Sequence, residues 1–147
     1  YFTKPVARPK RLRSTAIVET PQGIVLVAGG NGLFLLPGGG VEAGETYTIA
    51  ALRELDEETG LRAESVIHLF DHESSTSLHK VFYVAASGWP QLHNETRYIT
   101  YYTPGAELPI SHGTRAILQR FAAFQAAHPT LFTALGVLRE HALPPER

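Results

Sequence analysis

The chain has no cysteine and no methionine. Without cysteine there can be no disulfide staple, no thiolate nucleophile and no cysteine-ligated zinc. Long hydrophobic runs are missing too. None approaches the roughly 18 residues of a membrane span, and the first 13 residues lack the apolar core of a secretory signal, so a cytoplasmic location is the expectation. Neither sign of charge is in excess. Thirteen basic residues face fourteen acidic ones, for a formal net charge of -1. That balance removes any global electrostatic case for binding nucleic acid or an acidic membrane. Internal repeats and low-complexity tracts are absent as well. What is present, 147 residues with 44% apolar and 18% charged content, has the length of one domain and enough apolar mass for a packed core.

Arg8, Lys10, Arg11 and Arg13 crowd the start among Pro5 and Pro9, which predicts an extended basic arm over about residues 1–11. Leu12 to Thr20 and the β-branched run Ile24 to Val27 read as two strands around a Pro21-Gln22-Gly23 turn. Leu33 to Leu36 reads as a short strand leading into a glycine loop, Gly38 to Gly40. From about Thr46 to Thr59 the residues Ile49, Leu52 and Leu55 recur at three-residue spacing before Gly60, predicting a helix that packs through those three side chains. Ser65 to Phe70, Val81 to Ala86 and Tyr98 to Tyr102 suit strands. Over about residues 111–142, Ser111 can cap a helix carrying Ile117, Phe121 and Phe124 on one face. Pro129 opens another with Leu131, Leu135 and Leu138, stopped by Pro144 and Pro145.

The polar residues of the first helix are unusual. At about 100° per residue, Glu54, Glu57 and Glu58 share a sector about 100° wide, with Leu52 almost opposite. Like charges at such spacings cost a few tenths of a kcal/mol per pair, and a hard divalent cation would offset that repulsion. An ExxEE triplet alone is more often a solvated acidic face. Its surroundings decide otherwise. Residues 39–61 read GGVEAGETYTIAALRELDEETGL, placing Gly39, Glu45, Arg53-Glu54-Leu55, Glu57-Glu58 and Gly60-Leu61 at fixed intervals.

Those residues match the Nudix box, Gx5Ex7REUxEExGU with U aliphatic, at every specified position. Chance agreement is of order one chain in a million. Phe34, Leu36, Pro37 and Gly38 further resemble the approach to the box in MutT-like members. The resemblance covers about residues 12 to 125. It implies an α+β fold, an α/β/α sandwich around a central mixed sheet, in a single domain over residues 1–147.

The resemblance also implies roles. Glu54, Glu57 and Glu58 would ligate magnesium, with manganese as a substitute, and the Gly38 carbonyl would join them. Arg53 and Glu45 would orient the acids, and Arg53 has a possible phosphate contact. The general base is expected at Glu57 or at Glu95, a loop acid where relatives often carry a further ligand; Glu73 and Glu107 are reserves. Arg53, Arg13 and Phe34 are the expected substrate contacts, and His79 and His112 are within the range of candidates. His68 and His72 lack zinc-site spacing in a strand-like run. The reaction implied is hydrolysis of a phosphoanhydride in a nucleoside diphosphate linked to another moiety, with water rather than a side chain as nucleophile. No proline lies between Pro37 and Pro90, unlike the ADP-ribose subgroups. Nucleoside triphosphates, oxidised nucleotides, dinucleoside polyphosphates and capped or triphosphorylated RNA ends are left. A homodimer is compatible with this reading. The competing class is a Nudix domain that senses nucleotides without turnover.

Overall fold

The computed structural model describes residues 9–142, with side chains through residue 137. Most of the expected basic arm, the Leu138 side chain and the Pro144-Pro145 stop lie outside the described residues. Eight strands and three helices follow in the order β1 (Arg11–Ile17), β2 (Glu19–Thr20), β3 (Gly23–Ala28), β4 (Phe34–Leu35), β5 (Gly38–Gly40), α1 (Tyr47–Thr59), β6 (Arg62–Glu73), β7 (Ser77–Ser87), β8 (Tyr98–Tyr102), α2 (His112–Ala127) and α3 (Pro129–Ala142). None of these helices is long and apolar enough to cross a membrane.

The strands form a mixed sheet, ordered β5-β1-β7-β6 with β1 and β7 parallel, and a second, antiparallel sheet in which β3 pairs with β2, β4 and β8. Strand alternation gives both sheets two buried faces. Ile17, Leu26, Val81 and Tyr83 point to one side, where Ile117, Phe121 and Leu135 of α2 and α3 cover them. Their neighbours Ala16, Val18, Val25, Phe82 and Val84 point to the other, under Ala51 and Leu55 of α1. The result is the expected α/β/α sandwich, with its strands divided between two sheets rather than gathered in one.

Three local expectations differ from the structure. The predicted strand Leu12 to Thr20 is interrupted at Val18, giving β1 and β2. The β6–β7 hairpin extends well beyond its two predicted apolar runs because the polar residues around the turn at 74–76 continue the ladder. The glycine loop is a strand. Gly38, Gly39 and Gly40 pair antiparallel with Thr15, Ser14 and Arg13. A Cβ on Gly38 would stand 2.3 Å from the Ser14 carbonyl oxygen, so only glycine permits that approach.

Helix α1 is bounded as its capping residues require. The Thr46 hydroxyl accepts from Ile49 N–H, and Gly60, at φ 73°, donates its N–H to the Asp56 carbonyl. Its buried face, however, agrees with the predicted one fully only at Leu55. Ala50, Ala51, Leu55 and Thr59 are buried, Leu52 is half-buried and Ile49 is 53% exposed. At about 100° per residue, Ala51 and Leu55 lie within roughly 60° of Glu58. The acids therefore flank the buried stripe instead of opposing it. Two alanines and a glycine strand allow this close approach, and Ser14, buried in β1, fixes it by donating to the Tyr47 carbonyl at 2.6 Å.

This orientation predicts unequal consequences for two large aliphatic residues of one helix. Leu55→Ala should destabilise the fold by about 2–5 kcal/mol, whereas Ile49→Ala should change it by less than about 0.5 kcal/mol. Urea unfolding measures both, and equal losses would contradict the observed packing.

Candidate active site

Arg53 organises the acidic residues. Its Nε and one terminal nitrogen clasp both oxygens of Glu45 at 2.7 and 2.9 Å. The other terminal nitrogen donates to Glu54 at 2.9 Å and to Glu57 at 3.3 Å, and a last N–H reaches the Gly40 carbonyl at 3.1 Å. All five guanidinium donors are thus engaged. The Arg53 hydrogen bond, helped by the Glu42 N–H, holds the Glu45 carboxyl down at about 2, and Glu45 in turn keeps the guanidinium firmly charged.

Glu54 and Glu58 reach inward against β5. The Glu54 carboxylate occupies the space a Cβ on Gly39 would fill, 2.4 Å from its Oε1. Glu58 accepts the Gly38 N–H at 2.9 Å. Burial pushes the Glu58 carboxyl up to about 7; Glu54 and Glu57 add to the rise, while the Gly38 N–H and the Arg13 charge oppose it. Among the described residues, no three carboxylates or imidazoles already close on a single point. Instead, Glu54, Glu57 and Glu58 each have one oxygen tied to Arg53 or Gly38 and a second that accepts no hydrogen bond among the described residues. An all-oxygen set with one spare acceptor per carboxylate fits a hard divalent cation.

The three glutamates and Gly38 line a cleft of ≈ 660 Å³ together with Glu95. Glu95 is exposed and has no hydrogen bond or ion pair among the described residues. The loop that carries it is latched to the end of α1. Gln91 N–H donates to the Thr59 carbonyl at 2.8 Å, the His93 ring packs over Gly60, and the Asn94 side-chain amide donates to the Glu57 carbonyl at 2.9 Å. These bonds satisfy carbonyls that a helix end leaves open. Asn94 has φ 52°, a left-handed conformation for which asparagine is well suited. Its role was not visible in the sequence, because its partner lies 37 residues away.

Other predicted residues fall elsewhere. Phe34 is half-buried and packs on the main core, while Leu35, on the opposite side of β4, lines the cleft. Arg13 lines an adjoining cavity with His79. Glu73 pairs with Lys10, and Glu107 does not border the cleft. Tyr101 and Tyr102 pack against the two cores.

Two measurements test this geometry. Asn94→Gly, which keeps the backbone conformation, should cost about 0.5–1.5 kcal/mol for the lost hydrogen bond. Asn94→Ala should cost about 1 kcal/mol more, with faster amide exchange across residues 88–97. The second concerns pH. Folded Glu58, at about 7 against an ordinary 4.5, keeps a proton that the unfolded chain releases, so its contribution to stability is complete below 4.5 and disappears as pH rises through 7. In metal-free protein, Glu58→Gln should therefore gain stability relative to the parent as pH goes from 4.5 to 7; a pH-independent difference would refute the shift.

The chain matches the NUDIX domain family over residues 9–120. No curated protein matches it. Among solved structures it is similar to a nudix hydrolase family member from Chromobacterium violaceum, at 34% identity and TM-score 0.84, over 92% of this chain and 94% of that one. It is also similar to the ORF135 protein of E. coli, at 28% identity and TM-score 0.66, over 85% and 98%. A MutT NUDIX hydrolase from Burkholderia pseudomallei matches at 25% identity and TM-score 0.66, over 76% and 98%. The family match covers the box helix, the glycine strand and the loop of Glu95 alike, and the chain belongs to the Nudix family of hydrolases that act on nucleoside diphosphate derivatives.

Proposed function

We propose that this protein is a magnesium-dependent hydrolase that splits the phosphoanhydride of a nucleoside diphosphate linked to a second moiety. The observation that carries the proposal is the set of spare carboxylate oxygens on Glu54, Glu57 and Glu58, bordering the same cleft as the unpartnered Glu95. Those three glutamates, with the Gly38 carbonyl, would hold magnesium or manganese, which would offset phosphate charge and make water more acidic.

The remaining work falls to the chain itself. Arg53, fully occupied by protein acceptors, aims the Glu54 and Glu57 carboxylates, so it acts as a positioning residue. Arg13, beside Glu58, is free to meet a phosphate oxygen. Glu95 is the carboxylate best placed to take a proton from the attacking water, because it is committed to no other partner; Glu57, half-exposed with one spare oxygen, is the second candidate. Water adds to phosphorus, the bridging P–O bond breaks, and its electrons leave on the departing phosphate.

Substitution separates these roles. With saturating magnesium and a panel of nucleotides, Glu57→Gln and Glu58→Gln should each lower turnover by two or more orders of magnitude, about 3 kcal/mol in the barrier, while the fold remains intact by circular dichroism. Glu95→Gln should flatten the acidic limb of the pH–rate profile if Glu95 is the base and leave it in place if Glu57 is. Wild-type turnover by both box variants would sink the hydrolytic assignment of this helix and favour nucleotide sensing without turnover.

A further inference from the structure

Residues 91–95 are all exposed, and Leu92 among them is 59% accessible. The His93 ring rests over Gly60 but stays in solvent. Packing therefore does little to hold the Glu95 carboxylate at the cleft, and hydrogen bonds must do it. Two of them run through the main chain. Gln91 N–H is bound to the Thr59 carbonyl at one end of the segment, and Arg97 N–H is bound to the Ala28 carbonyl at 2.8 Å at the other. Between these anchors the chain crosses from the end of α1 to the end of β3, where the Glu95 carbonyl oxygen would stand 3.8 Å from a Cβ on Gly29.

Asn94 makes the third hold, and here a side chain makes it. Among the described residues its amide forms the only side-chain hydrogen bond of residues 91–96. The acceptor is the carbonyl of Glu57, whose own carboxylate lines the same cleft. Asn94 directly precedes Glu95, so its φ of 52° sets the direction in which the Glu95 backbone leaves. Left-handed angles cost a non-glycine residue energy, and the bond to Glu57 stabilises this one. One residue thus ties the unpartnered carboxylate to the helix that carries the other three.

We propose that Asn94 is the positioning residue for Glu95, holding that carboxylate at a fixed place beside Glu57 through the amide bond to the Glu57 carbonyl. Its kinetic consequence rests on the hydrolase reading: with Glu95 as the proton acceptor, a displacement of about 1 Å is enough to cost orders of magnitude in rate. The hold itself can be measured without turnover.

Two substitutions remove the N–H donor in different ways. Asn94→Gly keeps the left-handed angle without a side chain, and Asn94→Asp keeps both size and angle. In the metal-free full chain, nitrogen-15 relaxation should show the order parameter of the Glu95 amide falling from about 0.85 to below about 0.6 in both variants. With saturating magnesium and a nucleotide that the parent hydrolyses, each variant should lower turnover at least tenfold, about 1.4 kcal/mol, and change KM by less than about twofold. In a Glu95→Gln background the same substitutions should change turnover by less than about twofold, whereas in a Glu57→Gln background they should keep their full factor. Gln91→Ala, which leaves the main-chain bond in place, should match the parent. A Glu95 amide that stays rigid in both variants overturns the proposal, as does turnover that is unchanged in both or falls equally with and without the Glu95 carboxylate. A loss that disappears only beside Glu57→Gln overturns it too, by assigning Asn94 to the ligand helix. A parent that hydrolyses no nucleotide removes the hydrolase reading and leaves the relaxation result to decide the hold; hydrolysis with a rigid Glu95 amide in both variants does the opposite.

Discussion

Gathering three carboxylates within two turns of one helix requires a cation, and Arg53 supplies it. Each like-charge pair costs only a few tenths of a kcal/mol, but the site also needs the carboxylates oriented. The two-pronged clasp on Glu45 fixes the guanidinium plane, and that plane then presents N–H groups to Glu54 and Glu57. Charge-assisted, bidentate bonds are strong and directional. Glu45, eight residues before Arg53, thus aims the cleft without bordering it.

The glycine strand is the second constraint. Gly38 lets β5 approach Ser14 on β1, and Gly39 leaves room for the Glu54 carboxylate. With those side chains missing, the sheet edge can receive the acidic side of α1. The Gly38 N–H then points at Glu58 instead of at solvent. A helix that would ordinarily turn its acids to water is rotated to bring them to the rim of its buried face, and Ile49 is left outside as a consequence.

Two adjoining cavities of contrasting charge result. The acidic one is assembled by α1 and the latched loop of Glu95, and the other by β1, the β6–β7 turn and the start of α2. Gly38 and Leu35 belong to both.

Much of this was legible in the residues alone. The limits of α1 follow from Thr46 and Gly60, and most strands follow from β-branched and aromatic runs, because caps and periodicity act between near neighbours. The box spacing likewise singled out Glu54, Glu57, Glu58 and Arg53, since chemistry at one helix face is written in intervals of three and four residues. The buried face of α1 was not legible: it depends on Gly39 meeting Glu54 and Ser14 meeting Tyr47. Nor was the strand character of Gly38–Gly40, which exists only through pairing with β1. The Asn94 latch joins residues 37 apart, and the Thr15–His79 contact residues 64 apart. Local sequence thus determined most of the elements and which acids share one side of the box helix, because caps and periodicity act between near neighbours, whereas only long-range packing decided which way those side chains point and what lies beside them.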